Sequence, residues 1–374
     1  MSGVNSSSVG RSKSKHGAHG SQTAPFVRNF LAFLFLLFVA AAAAFAQSAS
    51  SIVPGPKPAD ASPERKELVG IYSGEKDAKH SYILLEQEGK LFWRDDKGVN
   101  KEFVIDGENV FPPSEGSMVA AHTIVRDEAG HIIAFAYLNF GCRRVDPGSD
   151  SSQSYRVKPQ RPVEELRREA LAATPPNENR SFRKPDLVEL AKLDPAIRLD
   201  IRYATTNDFL GVPVYTQARA YLQRPAAEAL VRVLHKLQPF GYSLLIHDGY
   251  RPWYVTKIFW DATPAEGKIF VADPAQGSRH NRGCAVDLTL YDLKTDQPVE
   301  MTGMYDEMSP RSFPNFPGGT SLQRWHRDLL RRAMESEGFT VYDSEWWHFD
   351  YKDWHEYGIL NIPFEKLGIG SPAK

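Results

Sequence analysis

Ser278-Arg279-His280-Asn281-Arg282-Gly283-Cys284-Ala285-Val286-Asp287 sets a His and an Asp seven residues apart, with a Gly between them and an apolar stretch carrying the Asp. A His on a loop and an Asp on the strand after it can reach one metal ion, and imidazole and carboxylate are both ordinary zinc ligands. An Asp closing a turn beside a solvated His would give the same string, so the pair alone decides little. Its surroundings decide the fold class. Ala285 to Leu290 reads as a strand, and Tyr242 to Ile246 as another, fully buried one. Pro225 to Leu237 gathers Leu230, Val233, Leu234 and Leu237 on one helical face, with Pro at its start and Gly241 beyond its end. Ser321 to Ser336 reads as a helix ended by Gly338, and Phe339 to Tyr342 leads into a last strand around Trp346 to Phe349. Strands and helices mix without a regular βαβ alternation, which predicts an α+β domain with an antiparallel sheet.

Two more stretches carry chemistry. Ser344-Glu345-Trp346-Trp347-His348-Phe349 places a Glu three residues ahead of a His in an aromatic run. In a strand that offset puts the two on opposite faces, so a twist or bend must bring the Glu beside a metal and not onto it. Such a division suits a catalytic zinc site, with three protein ligands, an open position for water and a carboxylate to take the water's proton. A core His with a surface Glu is the plainer alternative. His247-Asp248-Gly249-Tyr250-Arg251-Pro252 ends the buried strand. An Arg there either closes a structural ion pair or donates to a developing oxyanion, where a fixed positive charge in a dry site has most effect.

Taken together, the three stretches resemble the D-Ala-D-Ala dipeptidases of the vancomycin-resistance type. These belong to the zinc peptidase group that also holds D,D- and L,D-carboxypeptidases and shares a fold with the Hedgehog signalling domain. The group's S-x-H-x-x-G-x-A-x-D pattern stands here as Ser278, His280, Gly283, Ala285 and Asp287, and its E-x-W-H as Glu345, Trp347 and His348. The dipeptidase branch adds D-G-Y-R-P, here Asp248 to Pro252, and D-x-R/K-Y-A-T, here Asp200 to Thr205, with Asp287 to Tyr291 as its Asp-Leu-Thr-Leu-Tyr. The likeness covers about Leu187 to Phe364. It implies one Zn2+ per chain on His280, Asp287 and His348, Glu345 as general base and Arg251 at the transition state. It further implies that Asp306 meets the substrate's free amino group, and that Tyr203 and Ser278 line a small cavity. The implied partner is D-Ala-D-Ala or a related small peptide, cleaved to two D-alanines in the salvage or remodelling of peptidoglycan fragments. A carboxypeptidase acting on longer peptidoglycan peptides is a second reading, from which a carboxylate anchoring a free amino end would separate it. A non-catalytic zinc-bearing binding protein is a third, and Glu345 and Arg251 together argue against it.

The rest of the 374-residue chain divides by composition. Residues 1 to 46 hold four basic residues and no acidic one, then an apolar run from Phe30 that closes on Ala44-Phe45-Ala46. That is the pattern of a cleaved signal peptide, and the seventeen apolar residues are short for a membrane span. The expectation is therefore an exported, periplasmic protein with no stable span after cleavage, an uncleaved anchor being the alternative. Residues 47 to 66, rich in Ser, Ala and Pro, read as a flexible leader. From 67 to 146, short alternating stretches between turns such as Asp106-Gly107 predict a small antiparallel β module, sandwich or barrel, with no cluster of ligand residues. Residues 147 to 183 read as a polar linker with one short helix, across which few contacts should pass, and 184 to 374 as the zinc domain. Lys and Arg number 45 against 46 Asp and Glu, for a net charge of -1, and they form no basic stripe, so nucleic acid is not an expected partner. Cys142 and Cys284 fall in different modules and read as two buried thiols.

Overall fold

The computed structural model describes residues 52–74, 81–107, 109–111, 122–137, 140–146 and 154–367. The expected signal peptide lies outside them. A first short helix, α1 (Pro63–Leu68), leads into eight strands: β1 (Gly70–Gly74), β2 (Ser81–Gln87), β3 (Lys90–Arg94), β4 (Asn100–Asp106), β5 (Asn109–Phe111), β6 (His122–Arg126), β7 (Ile132–Tyr137) and β8 (Phe140–Arg144). Each pairs antiparallel with the next, and β8 returns to β1, so the sheet closes into a barrel. Closure removes both edges. Tyr72, Leu84, Leu91, Phe103 and Phe135 fill the interior, joined by Leu68 from α1. Sequence periodicity had no hold on β1, β5 and β8, because each is short and marked mainly by Gly or isolated aromatics.

The second part is built on a mixed sheet. Its elements are α2 (Val163–Ala172), β9 (Leu187–Glu189), α3 (Leu190–Leu193), β10 (Arg198–Leu199), β11 (Tyr221–Gln223), α4 (Arg224–Leu237), β12 (Tyr242–Asp248), α5 (Trp253–Ala262), β13 (Ala285–Asp292), β14 (Gln297–Pro298), α6 (Ser321–Glu335), β15 (Phe339–Tyr342) and β16 (Glu345–Tyr351). The sheet runs β10-β12-β13-β16-β15, with β14 beside β13, and a separate ribbon pairs β9 with β11. All its pairs are antiparallel except β10 with β12, which run parallel over two residues. Helices α4 and α6 bury one face each in the same core. Thr320 and Gln323 cap α6 reciprocally, each side chain accepting from the other's backbone N–H. Helix α5 escapes sequence periodicity because it is apolar nearly all round, with seven of its ten residues buried. No described helix is long and apolar enough to cross a membrane.

Two expectations about the connecting segments do not hold. The leader is packed from Ile52 onward: Ile52 lies in the main core, the Gly55 carbonyl accepts from Trp325 Nε1 at 3.0 Å, and Lys57 Nζ donates to Tyr242 OH at 2.6 Å. A few apolar and carbonyl groups suffice to dock so short a strap, and Ser-, Ala- and Pro-rich composition hides them. The expected polar linker is also no simple spacer. Leu166 and Ala170 of α2 are fully buried, and α2 packs on α5. The barrel itself touches the second part: the Glu86 backbone N–H donates to the Gly319 carbonyl, Ser321 N–H donates to the Glu86 carboxylate at 2.8 Å, and Arg311 pairs with Asp146. Cys142 is half-buried and Cys284 buried, and neither is in a disulfide.

Candidate active site

The chain brings its three candidate ligands together by a turn and a strand pair. His280 opens a single 3-10 turn, His280–Arg282, that Gly283 ends at φ +69°. A side chain at 283 would need this left-handed backbone and would also meet Leu187 Cδ2 at 2.5 Å, so glycine is required. Beyond it, β13 carries Asp287, whose register partner on β16 is His348. The result is that His280 Nε2 and His348 Nδ1 lie 3.1 Å apart and sit 3.3 and 3.1 Å from Asp287 Oδ1.

Both imidazoles are oriented from behind. His280 Nδ1 donates to the Gly249 carbonyl at 2.7 Å, which leaves the Nε2 lone pair facing inward. His348 Nε2 donates to Asp350 Oδ1 at 2.9 Å, which aims Nδ1 at the same point. Asp287 Oδ2 accepts from Tyr305 OH at 2.9 Å, whereas the buried Oδ1 receives no well-directed hydrogen bond. Ligand atoms on a tetrahedral ion with bonds of about 2.0–2.1 Å stand roughly 3.4 Å apart. The donor set and the stranded Oδ1 therefore fit a small divalent cation. Burial opposes a charge on His348, but the Asp350 and Asp287 carboxylates outweigh it and hold its pKa well above the usual value. A metal must displace that proton.

A β-bulge between Ile246 and Asp248 turns the end of β12 toward the site. Asp248 then organises the turn beyond the strand: Oδ1 accepts from Gly249 N at 2.8 Å and Tyr215 OH at 2.7 Å, while Oδ2 accepts from Arg251 Nε at 2.9 Å. The Arg251 guanidinium lies against both the Tyr203 and Phe259 rings, 5.2 and 4.9 Å from their centroids, with Nη2 3.7 Å from Asp287 Oδ2. Of the two readings the sequence left open for this Arg, the structural ion pair exists, and the same pair holds the side chain in the cavity wall.

Glu345 reaches the site through the expected bend. The pairing of β15 with β16 slips by three residues between Phe349 and Glu345, which reverses the face that plain alternation would give. Glu345 Oε2 ends 3.7 Å from His348 Nδ1, beside the ligands. Burial, opposed by His348 and reinforced by Asp287, holds its carboxyl up at about 7. Across the cavity, Asp306 stands in a left-handed backbone at φ +59° and accepts from Tyr203 OH at 3.0 Å, while its buried Oδ2 has no partner. Burial, then the charge of Asp287, drives its carboxyl well above the ordinary range. Ser278 accepts from His280 N–H at 3.2 Å, so it supports the His280 turn as well as lining the cavity. All eight residues singled out in the sequence thus border one cavity of about 100 Å³, far below the roughly 300–1,000 Å³ of sites for larger ligands.

Sequence reasoning missed Asp350, Tyr305 and the part Asp248 plays. Asp350 had a faint signal, since two residues after His348 on a strand it must share that residue's face. Tyr305 had none, being brought in by a loop. Partners of this kind typically contribute 10–100-fold to metal affinity. Asp350→Ala is accordingly expected to weaken metal binding by about that factor, as read by competition with a chromophoric chelator. Unchanged affinity would show that Asp350 serves only the strand.

The region from 183 to 364 matches the M15 peptidase family model described as D-Ala-D-Ala dipeptidase. Curated relatives agree with it. A D-alanyl-D-alanine dipeptidase of Escherichia coli strain K12 is 35% identical over 179 residues, 48% of this chain and 91% of its own length. One from Enterococcus faecium is 35% identical over 175 residues, 42% of this chain and 87% of its own. One from Streptomyces coelicolor is 32% identical over 186 residues, 45% and 92%. The barrel lies outside the family match. With the ligand set, Glu345, Arg251 and Asp306 all standing within that match, the chain belongs to the D-Ala-D-Ala dipeptidase family of M15 peptidases.

Proposed function

We propose that this protein is a zinc-dependent dipeptidase that hydrolyses D-Ala-D-Ala to two D-alanines. The observation that carries the reading is the meeting of a buried His-Asp-His set, a neighbouring carboxylate and a second carboxylate with one oxygen unpartnered in one cavity of dipeptide scale. His280, Asp287 and His348 would hold the zinc. When bound, such an ion acidifies a water molecule and polarises the scissile carbonyl. The protein's own groups do the rest. Glu345 takes a proton from the attacking water and passes it to the leaving amine, so that one water is consumed and both products leave as free amino acids. Arg251, held by Asp248, donates to the oxyanion as the carbonyl becomes tetrahedral. Asp306, steadied by Tyr203, faces the substrate ammonium, whose charge would restore the carboxylate that burial disfavours.

The small cavity and the carboxylate at its far wall favour a dipeptide over the end of a longer stem peptide. Export, argued from the first 46 residues, would place the reaction on peptidoglycan fragments outside the cytoplasm. The deciding assay uses the zinc-loaded protein with D-Ala-D-Ala, L-Ala-D-Ala and a D-Ala-D-Ala-terminated pentapeptide. The dipeptide with two D residues is expected to be cleaved fastest. Preferential release of D-Ala from the pentapeptide would replace this reading with a carboxypeptidase, and no hydrolysis of any of them would leave a zinc-bearing binding protein.

A further inference from the structure

The Asp306 loop is held from outside the family region. Its left-handed backbone is uncommon for a non-glycine residue, although Asp tolerates it better than most. One residue earlier, the Tyr305 carbonyl accepts from Tyr155 N–H at 3.2 Å, and Tyr305 bridges Ser154, just past the barrel. One residue later, Glu307 is wholly buried: its carboxylate accepts from Met304 N–H at 2.7 Å and from Ser309 Oγ, and its backbone carbonyl from Ser312 Oγ. Arg311 stands against this turn, donating through Nε to the Thr302 carbonyl at 3.1 Å with Nε 3.6 Å from Glu307. Its Nη1 donates to Asp146 Oδ1 at 2.8 Å. Asp146 lies just beyond β8, has a fully buried side chain, and also accepts from Arg144 and from the Ile71 N–H of β1. An unbroken chain of buried polar contacts thus runs from the barrel wall to the turn that presents Asp306.

We propose that Asp146 is a positioning residue for substrate recognition: through Arg311 it sets the Met304–Ser312 turn, and with it the carboxylate that meets the substrate's amino group. The barrel is then part of the specificity apparatus. The proposal rests on the dipeptidase reading, in which Asp306 pairs with that ammonium.

A group that only places a binding carboxylate acts on KM and spares the chemistry at Glu345. In the full-length, zinc-loaded enzyme, Asp146→Ala is expected to raise KM for D-Ala-D-Ala by about 10–100-fold with kcat changed far less. Metal content should stay the same, and the preference for the free over the N-acetylated dipeptide should shrink by the same factor. Because that change strands the Arg311 guanidinium, the double variant Asp146→Asn/Arg311→Gln is measured beside it. It removes both charges, keeps polar atoms in place, and is expected to show the same rise in KM. A folded variant with wild-type KM and undiminished preference for the free dipeptide would overturn the proposal, as would an equal loss from kcat on both substrates. A lower melting temperature alone, with unchanged KM, would mark Asp146 as merely structural. If the unmutated enzyme handles free and acetylated dipeptides alike, the dipeptidase reading itself has failed, whatever Asp146 does.

Discussion

Glu345→Ala is expected to retain its metal while kcat falls by about 10²–10⁴-fold, the usual contribution of a general base. The expectation rests on where the carboxylate sits. Glu345 lies beside the His348 ligand nitrogen, at 3.7 Å, and outside the three-atom set formed by His280, Asp287 and His348. His348→Ala removes a member of that set and should lose metal and turnover together. The pair of variants separates proton transfer from coordination. Metal analysis and steady-state kinetics on both proteins are the measurement, and a Glu345→Ala enzyme with near-normal kcat would refute the assigned base.

The same residue sets a pH dependence. A base acts only when deprotonated, so kcat/KM must rise with pH through its ionisation. Burial, offset in part by His348, holds the Glu345 carboxyl at about 7 in the metal-free chain, and a nearby cation can only lower it. The acid limb therefore belongs at or below about pH 7 and should be absent from the residual activity of Glu345→Ala.

N-acetylation of D-Ala-D-Ala is expected to cost about two to three orders of magnitude in kcat/KM. Acylation removes the ammonium, adds bulk in a cavity of about 100 Å³, and leaves Asp306 without the cation its unpartnered Oδ2 lacks in the free chain. Breaking a buried charge pair on one side typically costs roughly 3–5 kcal/mol. Because burial and the Asp287 charge push the Asp306 carboxyl toward its neutral form, part of that cost is recovered by protonation, so the lower half of the range is expected. Asp306→Asn should hurt the free dipeptide more than the acetylated one and so narrow the gap. Equal hydrolysis of both by the unmutated enzyme would transfer the activity to the carboxypeptidase class and leave the metal set as it stands.

Three relatives match this chain over 87–92% of their own length and the family match begins at residue 183, so the barrel is an addition to the part that these three share with it. Its contact with the loop of Asp306 gives that addition a place to act.

Much of this was legible in the linear chain because the candidate ligands and the candidate base lie in two short motifs with rigid internal geometry. Gly283 imposes the turn between His280 and the strand of Asp287, and the three-residue offset of Glu345 from His348 demands a bend, which the register slip supplies. The helices α4 and α6 were equally plain, since an apolar face in 3.6-residue rhythm, as in α4, and a glycine just beyond the end, Gly241 and Gly338, are local properties. Helix α5 and the short strands β1, β5 and β8 were not, because a helix apolar nearly all round shows little rhythm and a three-to-five-residue strand has too few residues to show one. What only the tertiary structure decided are the groups that converge from far apart in sequence. Tyr305 reaches Asp287 from a loop 18 residues further on, and Asp146 meets Arg311 although 165 residues separate them. A motif can specify what its own backbone holds in place, whereas a contact across 165 residues depends on how a barrel and a sheet pack together, and no local signal records that.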